Sequence, residues 1–402
     1  MKRLLRYVAI ALVVAIVGGC VYLNRLLPIV TGYAAKNLAS AVFVSGREAK
    51  DVEALDLNFS LIRYTSNTVD YENKTVTSRF LWGKSTAVYR EGCGVTLLCG
   101  ATADELRGQR FPMDVLSEGQ GVQDSTARAQ LPVGDSAVAE RLAPIAKAFV
   151  VERAYKGHPF AFVVVHKGGV VAECYDKGIG RDTKLLSWSM AKSFVNALIG
   201  IMVKDSLLDI HAPVDIPEWQ GDGRKAITLN DLMQMQSGLE WNEDYGARSD
   251  VNIMLHCEGD MGLYALMKPL DYAPRTHWQY SSGTTDIVMR YLRGRFSSDE
   301  AFLRYMHSRL FCTVGHCQSR LRAGHERHAC GLVVPLCHSP GFRPLRTAVP
   351  QRRLRWQRAD TTGRVGGLYA QAGSCQRGPL RLFLLAEPLW QIPRCAEGHV
   401  LL

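Results

Sequence analysis

Ser189 and Lys192 stand three positions apart in Ser189-Met190-Ala191-Lys192. On a helix that spacing puts both side chains on one face, a turn apart. A serine hydroxyl is a weak nucleophile until a neighbour takes its proton. A lysine amine does this when burial or nearby positive charge keeps it unprotonated. Tyr280 follows ninety-one residues after Ser189, in Tyr280-Ser281-Ser282-Gly283. A phenol that reaches the nucleophile relays protons in the same way. Serine and lysine are common enough for the bare motif to recur by chance, and a lone tyrosine in a turn is ordinarily structural. Order and context therefore decide.

The elements that must hold these groups are legible around them. Phe160–His166 reads as a strand, Lys167-Gly168-Gly169 as a turn and Val170–Tyr175 as a second strand, which together make a hairpin. A helix is expected over Ser189–Lys204, with Phe194, Leu198, Ile201 and Met202 on one face. Its N-terminus would aim backbone N–H groups at a developing oxyanion. A second helix is expected over Ile227–Met235, capped by Thr228 or Asn230 and stopped by Gly238. Strands followed by a helical block indicate an α+β domain. Residues 31–140 show Gly-rich turns at Gly92, Gly94 and Gly100 and a Thr/Val/Tyr-rich stretch over Asn67–Tyr71, but no functional pattern and no internal repeat.

Four words in order carry a resemblance. The first is Leu186-Ser187-Trp188-Ser189-Met190-Ala191-Lys192-Ser193. The second runs from Leu208-Asp209-Ile210 into Val214-Asp215-Ile216-Pro217-Glu218-Trp219. The third runs from Ile227-Thr228-Leu229 to Leu232-Met233-Gln234-Met235-Gln236-Ser237-Gly238-Leu239, and the last is Trp278-Gln279-Tyr280-Ser281-Ser282-Gly283. Over about residues 150–311 the chain resembles the serine β-lactamase-like superfamily, in the group of class C β-lactamases, penicillin-binding proteins and 6-aminohexanoate-dimer hydrolases. The resemblance implies an α+β fold of the β-lactamase/transpeptidase type, an antiparallel sheet with a helical subdomain. It implies Ser189 as nucleophile, Lys192 as its proton partner and Tyr280 as the second acid/base group. It places Ser282 where class C β-lactamases carry Asn, which leans toward the esterase and amide-hydrolase branch and makes Ser282 a candidate substrate-binding residue. The function implied is hydrolysis of a small-molecule amide or ester through an acyl-enzyme, with no cofactor and no metal.

The formal net charge of the 402 residues is +10, yet Cys312–Leu402 holds thirteen Arg, no Lys and four acids and so carries +9 of it. The body of the protein is nearly neutral, which argues against a nucleic-acid partner. Six of the eleven cysteines fall in the same tail. Cys312, His316, Cys317, His325, His328, Cys330, Cys337 and His338 have metal-ligand chemistry but no paired C-x-x-C spacing. A shifted reading frame after Phe311 accounts better for the tail. Read one base out of frame with suitable synonymous codons, His325–Gly331 gives MSGTPV, and the segments beyond give VGSSYLYATPRDFARFGLLYLNDG and RYGSFFWLNRYG, words of the superfamily's own type. The tail shows no sustained period of two or 3.6, so it is expected to have little regular structure and to leave the sheet with an open edge. The alternative function is then a catalytically inactive product, or a binder of penicillin-type ligands.

Lys2, Arg3 and Arg6 precede an uncharged run of seventeen residues, Tyr7–Leu23, close to the length that crosses a bilayer. Three readings stay open: an uncleaved signal anchor extended by Leu26, Leu27, Ile29 and Val30; a lipoprotein signal in which Val17-Gly18-Gly19-Cys20 makes Cys20 the lipidated residue; and a cleaved signal peptide. Each places the body outside the cytoplasm, on the periplasmic side of a bacterial inner membrane, and the anchor and lipoprotein readings also hold it at the membrane through the N-terminal segment. Disulfides are then permitted, and Cys93 and Cys99 are close enough to pair or to stay reduced. The expected layout is a signal segment over 1–30, an N-terminal region over 31–140, an incomplete hydrolase domain over 141–311 and a frameshifted tail over 312–402.

Overall fold

The computed structural model describes residues 2–108, residues 133–311 apart from 156, 168 and 182, and the backbone of 381–385. The tail cysteines and histidines lie outside the described residues. The chain divides into two compact units, Met1–Asp124 with Thr183–His338, and Ser125–Asp182 with Ser339–Leu402. The sequence reading had grouped 141–311 together.

The first unit begins with α1, Lys2–Phe43, a single helix of 42 residues whose two halves have different surroundings. Leu4, Val8, Leu12, Ile16 and Tyr22 are exposed, whereas Leu27, Val30, Ala34, Ala35, Leu38 and Ala39 are buried. The buried half packs on an antiparallel sheet of β1 (Ser66–Asp70), β2 (Thr75–Phe80), β3 (Gly83–Arg90) and β4 (Gly94–Leu97), paired in that order. Val76, Ala87, Val95 and Leu97 meet it from the sheet, and the alanines let helix and sheet approach closely. The boundary expected at residue 30 therefore lies inside one helix. Arg3–Phe43 is long and apolar enough to cross a membrane, with mean hydropathy 2.4 in a window of which none is buried. Two short helices, α2 (Ala49–Leu55) and α3 (Ala103–Arg107), flank the sheet, α3 opening on a Thr102/Glu105 capping box. Cys93 and Cys99 are separate thiols, and Cys99 donates to the His256 carbonyl at 3.7 Å.

The second unit contains α4, Ser136–Val150, capped by Asp135, and the hairpin of β5 (Ala161–His166) and β6 (Gly169–Tyr175). Ala146 and Val150 of α4 pack on Phe162, Val164 and Val171. The hairpin is where its turn chemistry predicted it. Its free edge is not open, however: β7, Arg381–Leu385, pairs antiparallel with β5, from Ala161 opposite Leu385 to Val165 opposite Arg381. β7 covers that side of β5 and becomes the edge strand itself. Arg-Leu-Phe-Leu-Leu is an apolar run of strand length, a signal that needs no alternation.

The rest of the first unit is helical. α5, Ala191–Lys204, buries Phe194, Leu198, Ile201 and Met202 as expected, and also Val195, Ala197 and Ile199. α6, Leu229–Met233, is shorter than predicted. Its cap is Thr228, in a reciprocal capping box with Asp231. It ends before Gly238, whose φ of +77° shapes the following turn instead. α7 (Asp250–Cys257), α8 (Met261–Leu266), α9 (Ser282–Gly294) and α10 (Asp299–Met306) follow, and His307–Phe311 continues as a single wide turn. Fully buried Trp219 anchors this half, its indole donating to the Leu266 carbonyl at 2.7 Å.

Candidate active site

Ser189 lies in a tight turn, Trp188–Met190, that leads directly into α5. It is exposed. Trp188 just before it has a φ of +44°, a left-handed conformation costly for a bulky residue, about 1 kcal/mol or more. Packing holds it there. The Trp188 ring stacks on Tyr33 of α1 at 6.5 Å, and Tyr33 is itself set edge-on against Phe59 at 5.5 Å and His256 at 5.6 Å. The turn so fixed presents Ser189 at the start of the helix, with Lys192 one turn on.

Lys192 is the hub. Its Nζ donates to Ser189 Oγ at 3.2 Å and to Ser282 Oγ at 3.2 Å, and sits 4.8 Å from the centre of the Tyr280 ring. The structure thus brings Ser189, Lys192, Tyr280 and Ser282 together. The Lys192–Tyr280 contact is made on the face of the ring, a cation–π geometry.

Ser282 differs from its sequence reading. It opens α9, is fully buried, and stands behind Lys192 rather than facing solvent. Its hydroxyl accepts from Lys192 and donates to Glu243, and its backbone N–H donates to the same carboxylate at 2.9 Å. A hydroxyl so engaged has no proton left for a substrate.

Glu243 and Tyr245 escaped the sequence reading. Trp241, Glu243 and Tyr245 alternate along an irregular loop, and a period of two in an extended chain aligns side chains. Glu243 accepts from Ser282, from the Trp241 indole and, at 2.9 Å, from the Tyr245 hydroxyl. Tyr245 has an exposed ring, but its hydroxyl is turned inward to Glu243, with Ser282 Oγ 3.5 Å away. Desolvation, and then the Glu243 charge, push that phenol above its ordinary range. The alternation Trp241-Glu243-Tyr245 was the available signal. It was missed because acidic residues with aromatic neighbours are unremarkable in loops.

Three residues hold this loop. Gln279 donates to the Trp241 carbonyl. Asn252 of α7 donates to the carbonyls of Asp244, Tyr245 and Ala247 at 3.2, 3.1 and 2.7 Å. Gly283 leaves room for the Trp241 ring: a Cβ there would lie 2.5 Å from it. A separate open cleft of 730 Å³, lined by Cys99, Glu240, Glu258, Tyr264 and Lys268 among others, includes none of the Ser189 cluster. Among the described residues no group of three or more His, Cys, Asp or Glu is placed to hold a metal ion.

The Beta-lactamase family model matches residues 146–315, the stretch that contains Ser189, Lys192, Glu243, Tyr245, Tyr280 and Ser282. Residues 146–315 belong to the β-lactamase superfamily. A 6-aminohexanoate-dimer hydrolase of Paenarthrobacter ureafaciens is 30% identical over 87 residues, which are 21% of this chain and 22% of that protein. The chain therefore aligns with about a fifth of that curated relative. Among solved structures, a candidate 6-aminohexanoate-dimer hydrolase from Bacillus anthracis gives a TM-score of 0.38 at 17% identity, over 45% of this chain and 52% of the other. A D-alanine carboxypeptidase from Burkholderia cenocepacia gives 0.34 at 19% identity, over 50% and 59%. The similarity of this β-lactamase-like segment supports a serine hydrolase.

Proposed function

We propose that the protein hydrolyses a small-molecule amide or ester through an acyl-enzyme on Ser189. The observation that carries this is the placement of Lys192 Nζ at 3.2 Å from both Ser189 Oγ and Ser282 Oγ. In the acylation step Lys192, as the amine, takes the Ser189 proton while Oγ bonds to the substrate carbonyl carbon. The tetrahedral oxyanion then collapses, the C–O or C–N bond breaks, and the leaving group takes the proton back through Lys192 or Tyr280. Water repeats the sequence on the acyl-serine and frees the acid.

Glu243 gives this cluster its polarity. A carboxylate only accepts hydrogen bonds, so the Ser282 proton is committed to Glu243 and Ser282 offers Lys192 a lone pair. Lys192 satisfies Ser282 with one N–H, and taking the Ser189 proton in the acylation step reverses the direction of its contact with Ser189 Oγ. Ser282 and Glu243 are positioning residues in this scheme. Turnover of a p-nitrophenyl ester that is lost in Lys192→Ala and in Ser189→Ala tests it; turnover that survives both substitutions contradicts it.

The exposed apolar half of α1 supports a membrane-held protein with its body outside the cytoplasm. An alkaline-phosphatase fusion after Ser45 is then active, and palmitate incorporation that depends on Cys20 separates the lipoprotein from the signal anchor.

A second reading, an inactive or ligand-binding product of a shifted frame, is favoured by one observation, the thirteen Arg and six Cys of the last ninety-one residues. The pairing of Arg381–Leu385 with β5 stands against it. Resequencing the codons for Leu310–Cys317 decides between them: an inserted or missing base upholds the shifted frame, and an unchanged sequence removes it.

A further inference from the structure

The turn between β2 and β3 is built from the wrong residues for a turn in water. Phe80 pairs with Gly83, so the connection is the two residues Leu81 and Trp82. Leu81 has a φ of +51°, at the position where such turns favour glycine. Both side chains point away from the protein, Leu81 at 62% exposure and Trp82 at 53%. Backbone strain and two large apolar groups in solvent are thus combined at one tip, where Asn-Gly would cost neither.

The direction of the hairpin shows what the tip faces. Three contacts give the register of β3 along α1. Phe43 lies against Tyr89 at 6.1 Å. Thr31 Oγ1 lies 2.7 Å from Ser85 Oγ. Gly83 meets Leu27 so closely that a Cβ would lie 2.6 Å from the Leu27 Cβ. Moving from Tyr89 toward Gly83 therefore moves from Phe43 toward Leu27, and the tip points at the exposed apolar half of the helix. Tyr22 is five residues beyond Leu27, about 7–8 Å at the rise of an α-helix. That is about the depth of the headgroup layer on one side of a bilayer. Basic residues collar the tip. Arg79 and Lys84 pair across β2 and β3 one step below it, both exposed, and Arg25 is exposed on the helix alongside. Tyr64, also exposed, stacks on Phe80 at 6.4 Å. Aromatic rings at headgroup level with lysine and arginine beside them are the usual chemistry of a bilayer interface.

We propose that the Leu81–Trp82 tip is a second membrane contact, inserted into the headgroup region of an anionic phospholipid surface beside the emerging α1. This rests on the reading of α1 as a membrane span. The tip then clamps the first unit to the bilayer, because α1 continues without a linker from the apolar half into the core.

The test uses the full chain reconstituted in vesicles of phosphatidylcholine and phosphatidylglycerol, with phosphatidylcholine brominated either near the glycerol end or near the methyl end of its acyl chains. The fluorescence of Trp82 is taken as the difference between wild type and Trp82→Phe. Val13→Trp reports on the span independently. The expected result is quenching of the Trp82 difference by the shallow bromines more than by the deep ones, and the reverse order for Val13→Trp. Loss of the Trp82 quenching in Arg79→Glu/Lys84→Glu, or when phosphatidylglycerol is omitted, supports the basic collar. If Val13→Trp is quenched and the Trp82 difference is not, the tip proposal is overturned while the span stands. If Val13→Trp is not quenched, the span reading fails, and Trp82 quenching in its absence would make the tip a surface contact alone.

Discussion

Glu243→Gln is the substitution that probes the site most finely, because it changes charge and hydrogen-bond direction with almost no change in shape. The Glu243 carboxylate receives the Ser282 hydroxyl and N–H, the Trp241 indole and the Tyr245 hydroxyl. In the amide one oxygen still accepts, but the nitrogen donates, so the donors on that side face another donor. A hydrogen bond to a charged group is worth about 1.5–3 kcal/mol. Glu243 is only half-buried, so the lower end applies, and two such bonds weakened give a loss of roughly 3 kcal/mol. Not all of it falls on the fold. If half reorients Ser282, Lys192 loses its fixed acceptor, and acylation of Ser189 slows by about tenfold at 1.4 kcal/mol per decade. The assay is the rate of fluorophosphonate labelling of the full-length protein, with a thermal melt beside it. Labelling within twofold of wild type in a folded Glu243→Gln protein would refute the argument that this carboxylate sets the direction of the chain.

Two predictions concern stability. Gly238→Ala is expected to cost roughly 3 kcal/mol or more, since a Cβ there would lie 2.1 Å from the Tyr272 carbonyl oxygen and the φ is +77°; urea denaturation measures it, and a change under 1 kcal/mol would be incompatible with that contact. Asp205 receives Arg309 at 2.6 and 3.0 Å and Tyr305 at 2.7 Å, and these bonds hold its carboxyl below the usual range. A carboxylate whose folded value is depressed favours the fold above its unfolded value of about 4 and loses that contribution as the pH falls through the folded value. Asp205→Asn should therefore be less stable than wild type at neutral pH, with the gap closing in melts below about pH 4; a gap that stays constant down to pH 3 would show that the charge is not its source.

The chemistry was more legible than the scaffold. That Ser189, Lys192 and Tyr280 lie near one another could be anticipated because their motifs are short, ordered and embedded in characteristic words. α5 was found because Phe194, Leu198, Ile201 and Met202 repeat at helical spacing. The β5–β6 hairpin announced itself by its glycine turn. The sheet on α1 did not, since β1–β4 are short and rich in Thr and Ser, with little alternation to mark a buried face. The inner half of α1 was hidden by its neighbour: Leu27, Val30 and Leu38 are as apolar as the residues before them, and composition does not say that one half meets a sheet. Ser282 was assigned to substrate from its place two residues after Tyr280. Only the fold shows Glu243 waiting behind it, thirty-nine positions away in sequence.

The central claim is that Ser189 is the group that becomes acylated. It is tested most directly by treating the full-length protein with a fluorophosphonate and mapping the adduct by peptide mass spectrometry, in parallel with Ser189→Ala and with the chain whose frame is restored after Phe311. The account predicts one adduct, on the peptide carrying Ser189, in the chain as it stands and in the frame-restored chain alike, and absent from Ser189→Ala. Equal labelling of Ser189→Ala, or an adduct confined to another serine, would contradict it.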